Sequence, residues 1–388
     1  MDFVKKNLGD LTVGKGQYGI GASAVDYSED LYTYLRITDI NDDGTLNVNN
    51  LKSINDKNAE RYLLQPNDIV FARTGNSTGR NYFYDGTDGI LVYAGFLIKF
   101  SIDSSKVNPK YIKYYCMSDE YKGWVQGHLT GSTRGNINAQ TYANMEISIP
   151  PREQQNRIVS ILEELERKRK NNIAINRNLS EQAKILYKEW FIDFGPFEGE
   201  MPGDWHLGTV EEIIELHDSK RKPLSGRQRD DMEKIYPYYG ATSIMDYVDN
   251  YIFDGIYLLL GEDGSVIDTE GYPILQYVFG KFWPNNHAHV ITGEKGFSVE
   301  MLYLLFSLTN VQSIVTGAVQ LKISQQNLKT VEVVIPSYEA ITEFDEMIQP
   351  IFREIRRLRT ENDKLTTLRD NLLPKLMSGE LDVSDLDI

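Results

Sequence analysis

A single cysteine, Cys116, stands among 388 residues, so no internal disulfide can form and the composition suits a reducing cytosol. The opening stretch, MDFVKKNLGD, carries no apolar signal region. No uninterrupted apolar run approaches the roughly 18 residues that a membrane span needs. The expectation is a soluble, cytoplasmic protein with no membrane partner. Basic residues are in deficit: 41 Lys and Arg against 56 Asp and Glu leave a formal charge of −15. Taken alone, that argues against nucleic acid, whose binders usually carry a basic footprint. The sum matters less, however, than whether the basic residues gather on one face.

Motifs for chemistry are also scarce. There is no G-x-x-x-x-G-K-[ST] phosphate loop, and no Asp or Asn followed by Pro-Pro and an aromatic, the tetrapeptide of amino-methyltransferases. GKGQYG (Gly14–Gly19) has G-x-G-x-x-G spacing, and Asp39 follows about twenty residues on, as in a dinucleotide fingerprint. The following residues, IGASAVDYSEDLY, lack the apolar stripe of a helix, so a flexible loop is the expectation. His287 and His289 in NNHAHV share a strand face without further Cys or His nearby, a pattern that reads as structural, with no metal. A Ser-His-Asp arrangement stays open at this level. The chain is expected to be non-catalytic and to hold no cofactor of its own.

What the chain does have is a repeat. TGSTRGNINAQTYANMEISIPP (Thr130–Pro151) aligns without a gap with TGAVQLKISQQNLKTVEVVIPS (Thr316–Ser337), 186 positions later. Each copy precedes a long charged run. Segments 1–151 and 195–337 are rich in Tyr, Gly, Asn and strand formers, with turn signals such as NDDG (Asn41–Gly44). They read as mixed, strand-rich domains, the first with a short helix near Tyr111–Val125. Between Arg152 and Phe194 there is no Pro and no Gly, which predicts one long helix over 152–194, stopped by Gly195-Pro196. A second long helix is predicted over 338–378, with a kink at Pro350 and a terminus at Pro374. An acidic tail, 379–388, follows.

Alternating steps of four and three from Ile158 reach Trp190 with seven of ten positions apolar, and the ladder shifted by 186 has eight. A 3.5-residue apolar repeat specifies a coiled-coil seam. The alternative is two amphipathic helices packing on separate cores. Because domain termini usually lie close together, the helices should run antiparallel. The predicted fold class is α+β: two similar mixed α/β domains at opposite ends of an antiparallel two-helix coiled coil, with a pseudo-two-fold internal repeat. About 38 helical residues would make a rod of roughly 57 Å. Facing rungs then have numbers summing to about 534, with Ile158 opposite Leu376, Trp190 opposite Phe344 and Asn172 opposite Asn362. An amide pair inside an apolar seam would set its register. The alternative is that both amides face solvent.

These residues resemble a known family. PPREQQNRIVSILEEL (Pro150–Leu165) with AKILYKEWFIDFGPF (Ala183–Phe197), and LRDNLLPKLMSGELDV (Leu368–Val383), resemble the central and C-terminal regions of specificity subunits of type I restriction–modification enzymes. YLRITDI (Tyr34–Ile40), PNDIVFARTGNSTG (Pro66–Gly79) and MPGDWHLGTVEEI (Met201–Ile213) are similar to parts of their target-recognition domains. The resemblance implies a bacterial or archaeal DNA-recognition subunit whose two heads each read one half of a bipartite double-stranded DNA target. The helices would set the spacing and dock two modification (methyltransferase) subunits. Partner subunits would supply the chemistry: S-adenosylmethionine in the modification subunits, ATP and Mg in the restriction/translocase subunits. The competing reading is a dumbbell scaffold or adaptor that never touches DNA.

Candidate DNA contacts are basic, amide and hydroxyl groups in Gly-rich loops. The first head offers Lys15, Gln17 and Tyr18, then Arg73, Thr74, Asn76, Thr78 and Arg80, then Arg134 and Asn136. The second offers Lys220, Arg221, Lys222, Arg227 and Arg229, then Ser265, then Gln320 and Lys322. Each alone is ordinarily a solvated surface residue. As a set they gather in corresponding loops of both repeats.

Overall fold

The computed structural model describes residues 3–129, 135–317 and 319–383. The chain divides into two compact units, Met1–Arg169 with Asp363–Ile388, and Lys170–Asn362. Each unit therefore takes part of both long helices, Arg152–Phe191 and Tyr338–Ser378. No described helix is long and apolar enough to cross a membrane.

The first unit holds two four-stranded sheets. One runs in the order Gln17–Tyr18, Leu97–Ser101, Asp68–Ala72, Asn81–Tyr84, all antiparallel. The other runs Ala24–Asp26, Lys52–Ile54, Tyr32–Leu35, Leu91–Tyr93, the last pair parallel. Asp68–Ala72 is buried along its whole length, as a central strand with both faces covered should be. Its Phe71 stacks on Tyr142 at 4.6 Å between ring centroids. Sequence predicted one helix near Tyr111–Val125; there are two, Pro109–Tyr115 and Asp119–Leu129. The break is local chemistry: the Ser118 hydroxyl donates to Tyr115 O at 2.7 Å and accepts from the Tyr121 N–H at 3.3 Å.

The second unit is built on a six-stranded sheet ordered Ile214–Leu216, Ala288–Gly293, Phe253–Gly261, Leu275–Pro284, Tyr236–Tyr239, Ile244–Val248. Helix Val299–Ser307 contributes Met301, Leu302, Leu305 and Phe306 to the same core as Trp190, Phe344 and Ile348.

Within each unit the long helices complete the core. In the first, Ile158 and Leu162 lie in one buried cluster with Leu373, Leu376 and Met377. In the second, Phe344 packs against Tyr187, Trp190 and Phe191, its ring centroid 5.7, 5.6 and 4.8 Å away. In the same unit Asn172 Nδ2 donates to Asn362 Oδ1 at 3.0 Å and to Glu361 Oε2 at 2.9 Å. Trp190 with Phe344 and Asn172 with Asn362 make the helices antiparallel there. Asn172 is 1% exposed and its Oδ1 is without a partner; Asn362 is half-buried.

The helix ends correct three expectations. The first helix stops at Phe191, not Phe194, because Phe194 adopts a left-handed conformation (φ 54°) and its carbonyl accepts from Gly199 N–H. Pro350 leaves the second helix unbroken, and Pro374 does not end it. Both prolines are exposed, so the carbonyl that each leaves without an N–H partner faces water. Burial of Phe352 and Ile355 after the first, and Leu376 and Met377 after the second, keeps the helix going. Gly379, at φ 79°, follows the last turn as a left-handed cap.

Asn172→Ala should lower stability by about 1–3 kcal/mol, since it removes the buried donor of two half-buried hydrogen bonds. Asn172→Leu with Asn362→Leu should be at least as stable as the parent chain, because an apolar pair replaces an under-satisfied amide. Urea unfolding checks both. A double variant weaker than the alanine variant would show that the amides do not oppose a dry seam.

Candidate nucleic-acid interface

The two copies of the repeat build the same local frame. Asn138 caps helix Ala139–Ala143 by accepting from Thr141 N–H at 2.9 Å, and Ser324 caps Gln325–Lys329 by accepting from Asn327 N–H at 3.1 Å. Each helix leads to a strand, Glu146–Ile149 or Glu332–Ile335, paired antiparallel with the unit's opening strand, Val4–Asn7 or His206–Thr209. Every element of this frame is offset by 186 except the opening strands. The frame holds the preceding loop against the unit. Of those loops, Arg134 lies outside the described residues, as do the rest of Thr130–Arg134 and Ala318.

In the first unit the structure gathers Tyr18, Arg73, Thr74, Thr78 and Asn136. Thr74 bridges Asn136 in antiparallel fashion. The Thr78 hydroxyl donates to Gly75 O at 2.7 Å and lies 3.2 Å from Gly135 O. The Arg73 guanidinium lies over the Tyr18 ring at 4.9 Å, and the Tyr18 hydroxyl accepts from Ala139 N–H at 3.2 Å. Lys15, Gln17 and Asn76 are exposed around this group. Arg80 is not part of it. Its Nε pairs with Asp42 at 2.6 Å and its Nη1 donates to Ile40 O, on a separate cleft of about 690 Å³ that Asp119, Lys122 and Asp370 also line.

The G-x-G-x-x-G run is a packing motif here. It contains strand Gln17–Tyr18 and leads to strand Ala24–Asp26, with no helix N-terminus to meet a phosphate. A Cβ on Gly19 would sit 2.3 Å from Ala94 O, and one on Gly16 would sit 2.6 Å from the Phe100 ring. A second motif went unread in the sequence: Gly75–Gly79 has G-x-S-x-G spacing. Ser77 is buried in a short 3-10 turn between strands Asp68–Ala72 and Asn81–Tyr84, without the helix that follows the serine in a nucleophile elbow.

The second unit splits its candidates differently. Lys222, Arg227, Ser265 and Gln320 lie at the surface or half-exposed. Arg221 is committed inside: it pairs with Glu262 at 2.7 Å and Asp218 at 3.3 Å and donates to Ala288 O. Arg229 pairs with Asp246 at 2.9 Å over the Tyr238 ring. Lys322 pairs with Glu262 at 3.3 Å, and Lys220 lies 3.4 Å from His217 Nδ1. Sequence reasoning missed this network because its acids, Asp218 and Glu262, lie 44 positions apart.

His289 is its centre. The ring is fully buried, with Nδ1 2.6 Å from Asp218 Oδ2 and Nε2 2.8 Å from Ile323 O. Asp218 also accepts from Val290 N–H and Gln325. Asp218, Glu262 and His289 place potential metal-ligand atoms within 4.8 Å of one another. Arg221, Lys322 and the direct His289–Asp218 contact tie the same atoms into an ion-pair network. Through Ile323, Gln325 and Lys322 it anchors the second repeat loop to the sheet. Burial pushes the Asp218 carboxyl up, but the hydrogen bond and charge of His289, with Val290 N–H and Gln325, hold it below the ordinary carboxylate value. A depressed folded value means stability that is present above the unfolded value of about 3.9 and lost as pH falls through the folded one. Acid should therefore weaken the second unit. Asp218→Asn should cost about 3–5 kcal/mol at pH 7 and flatten the pH dependence of unfolding between pH 5 and pH 3, read by circular dichroism.

Comparison with known proteins agrees with this architecture. The family described as type I restriction modification DNA specificity domain matches twice, over residues 2–181 and 202–367. The type I restriction enzyme MjaIX specificity subunit of Methanocaldococcus jannaschii is 25% identical over 316 residues, 74% of this chain and 72% of that one. The HindI specificity subunit of Haemophilus influenzae is 21% identical over 457 aligned positions, covering 94% and 99%. A second Haemophilus influenzae sequence is 32% identical over 142 residues, 37% of this chain and only 36% of its own length. Among solved structures, the S subunit of the M. genitalium type I restriction-modification system shares the fold, with a TM-score of 0.56 at 16% identity over 97% of this chain and 96% of that one. With two matched domains carried on one repeated frame, the chain belongs to the type I restriction-modification DNA specificity family.

Proposed function

We propose that this chain is a non-catalytic DNA-reading subunit in which each unit recognises one half of a bipartite duplex target. The observation that carries the reading is the duplicated frame: helix, strand and long-helix start recur at an offset of 186, while the loops ahead of them differ. A shared frame with different loops suits two readers of different half-sites. The long helices are the connection between the readers, and their length sets the number of base pairs between half-sites. The helices' solvent faces dock two modification (methyltransferase) subunits, and restriction/translocase subunits complete the assembly. S-adenosylmethionine, ATP and Mg belong to those partners, in the cytoplasm.

The net charge of −15 does not oppose this. Many acids here are spent on intramolecular pairs, as Asp42, Asp218, Asp246 and Glu262 show. What remains for phosphate are cations that pair with no acid among the described residues, chiefly Lys15, Lys222 and, on the short helix Gly226–Asp230, Arg227. A chain expressed with its modification subunits should direct methylation to a two-part sequence. Exchanging residues 1–151 for the corresponding segment of another family member should change one half of that sequence only. Genome-wide mapping of methylated bases reads both outcomes, and a change in both halves would end the modular reading.

The salt dependence of duplex binding separates two classes of basic residue. Lys222→Gln with Arg227→Gln should weaken binding to all sequences and lower the salt slope by roughly 0.9 for each phosphate contact removed. Arg221→Gln should instead lower the unfolding temperature, since it takes from Glu262 and Asp218 the guanidinium that they share. An unchanged slope in the first variant would place that loop away from DNA.

A further inference from the structure

We infer that Arg73 reads a guanine in the half-site contacted by the first unit, with Tyr18 as the ring that holds its guanidinium plane. This rests on the DNA-reading function proposed above and names the base and the residue.

Several basic side chains of the first unit are satisfied internally. Arg36 pairs with Asp39 at 2.6 Å, Arg80 with Asp42 at 2.6 Å, Lys99 with Asp68 at 3.4 Å and Lys113 with Glu166 at 2.6 Å. Arg73, like the exposed Lys15, pairs with no acid among the described residues. It is half-buried, its Nε is out of contact with solvent and has no partner, and among the described residues no acceptor meets its guanidinium. Only its Nε is withdrawn from water, so the Nη groups remain to donate to acceptors that a ligand supplies.

The geometry selects the acceptor. Tyr18 lies under the guanidinium at 4.9 Å, and its own hydroxyl is fixed by Ala139 N–H. The backbone of Arg73 is fixed as well: its N–H donates to Phe96 O at 3.0 Å and its carbonyl accepts from Ile137 N–H at 2.9 Å. A plane pinned by a ring and a backbone pinned at both ends leave the two Nη groups as a preorganised fork. Such a fork matches the paired O6 and N7 acceptors of guanine in the major groove, the commonest specific contact that arginine makes. Neighbouring Asn76, Gln17 and Asn136 are amides suited to adjacent bases. Arg229 shows the contrast. It also stacks on a tyrosine, Tyr238 at 5.0 Å, and its Nε too is without a partner, but its Nη1 already pairs with Asp246 at 2.9 Å.

The test is selection from a random-sequence duplex library by the full chain assembled with its modification subunits. The parent assembly should select a two-part motif. Arg73→Ala and Arg73→Lys should both lose the preference for one guanine in one part, by about 10-fold or more, while the other part stays unchanged and reports correct folding. Tyr18→Ala should relax the same position, and Tyr18→Phe should keep it. Replacing that guanine with 7-deazaguanine should weaken the parent by a similar factor and leave Arg73→Ala no weaker. Uniform weakening over an intact motif, with a lower salt slope, would assign Arg73 to a phosphate and overturn the inference. An intact motif selected by Arg73→Lys would overturn it too. A parent assembly that selects no motif at all would instead remove the function on which the inference rests, and the inference with it.

Discussion

The structure depends on one constraint: two helices of 40 and 41 residues cannot bury their apolar stripes alone. A solitary amphipathic helix of that length would leave Ile158, Leu162, Trp190, Phe344, Ile348 and Leu376 in water. Each unit resolves this in the same way, closing its core over the start of one helix and the end of the other. Burial of a large apolar side chain contributes about 1.5–3 kcal/mol, so such a set outweighs what propensity alone gives a charged helix. Two exposed prolines within the second helix change nothing, because the stripe on the buried side continues past them.

That constraint explains why the repeat takes the form it does. The capped short helix and its strand lead straight into the first turn of a long helix, Arg152 or Tyr338. Anything that moved this junction would move the apolar stripe off its core. The frame is thus pinned by packing, and variation is left to the loops ahead of it. In the first unit Arg73 lies over Tyr18 and its neighbour Thr74 bridges Asn136. In the second, a buried His289–Asp218–Arg221–Glu262 network fastens the loop from beneath.

Electrostatics then divides the basic residues into two kinds. Arg80, Arg221 and Arg229 are bound to acids within their own unit and contribute to structure. Lys15, Arg73, Lys222 and Arg227 carry no such partner among the described residues. Net charge counts the two kinds alike, which is why a formal −15 is compatible with local cationic surfaces on an acidic chain.

Much of the fold was legible in the sequence because it rests on periodicity and repetition. The absence of Pro and Gly over 152–194 marked the first helix, the 3.5-residue ladder marked the seam, and the 186-residue offset marked the frame. Even the Asn172–Asn362 meeting follows from summing residue numbers along an antiparallel pair. These are one-dimensional signals of local geometry. The candidate site was legible only as a list of residue types. Whether an arginine is free or spent depends on which acid the fold brings beside it, and Asp42, Asp246 and Glu262 reach their partners across strands and loops. The same holds for G-x-G-x-x-G and G-x-S-x-G, whose spacing is met without the helix that would give it chemistry. Sequence determined the helices, the repeat and the family likeness. Tertiary structure alone decided which charges are neutralised, because pairing depends on distance in space and not on separation along the chain.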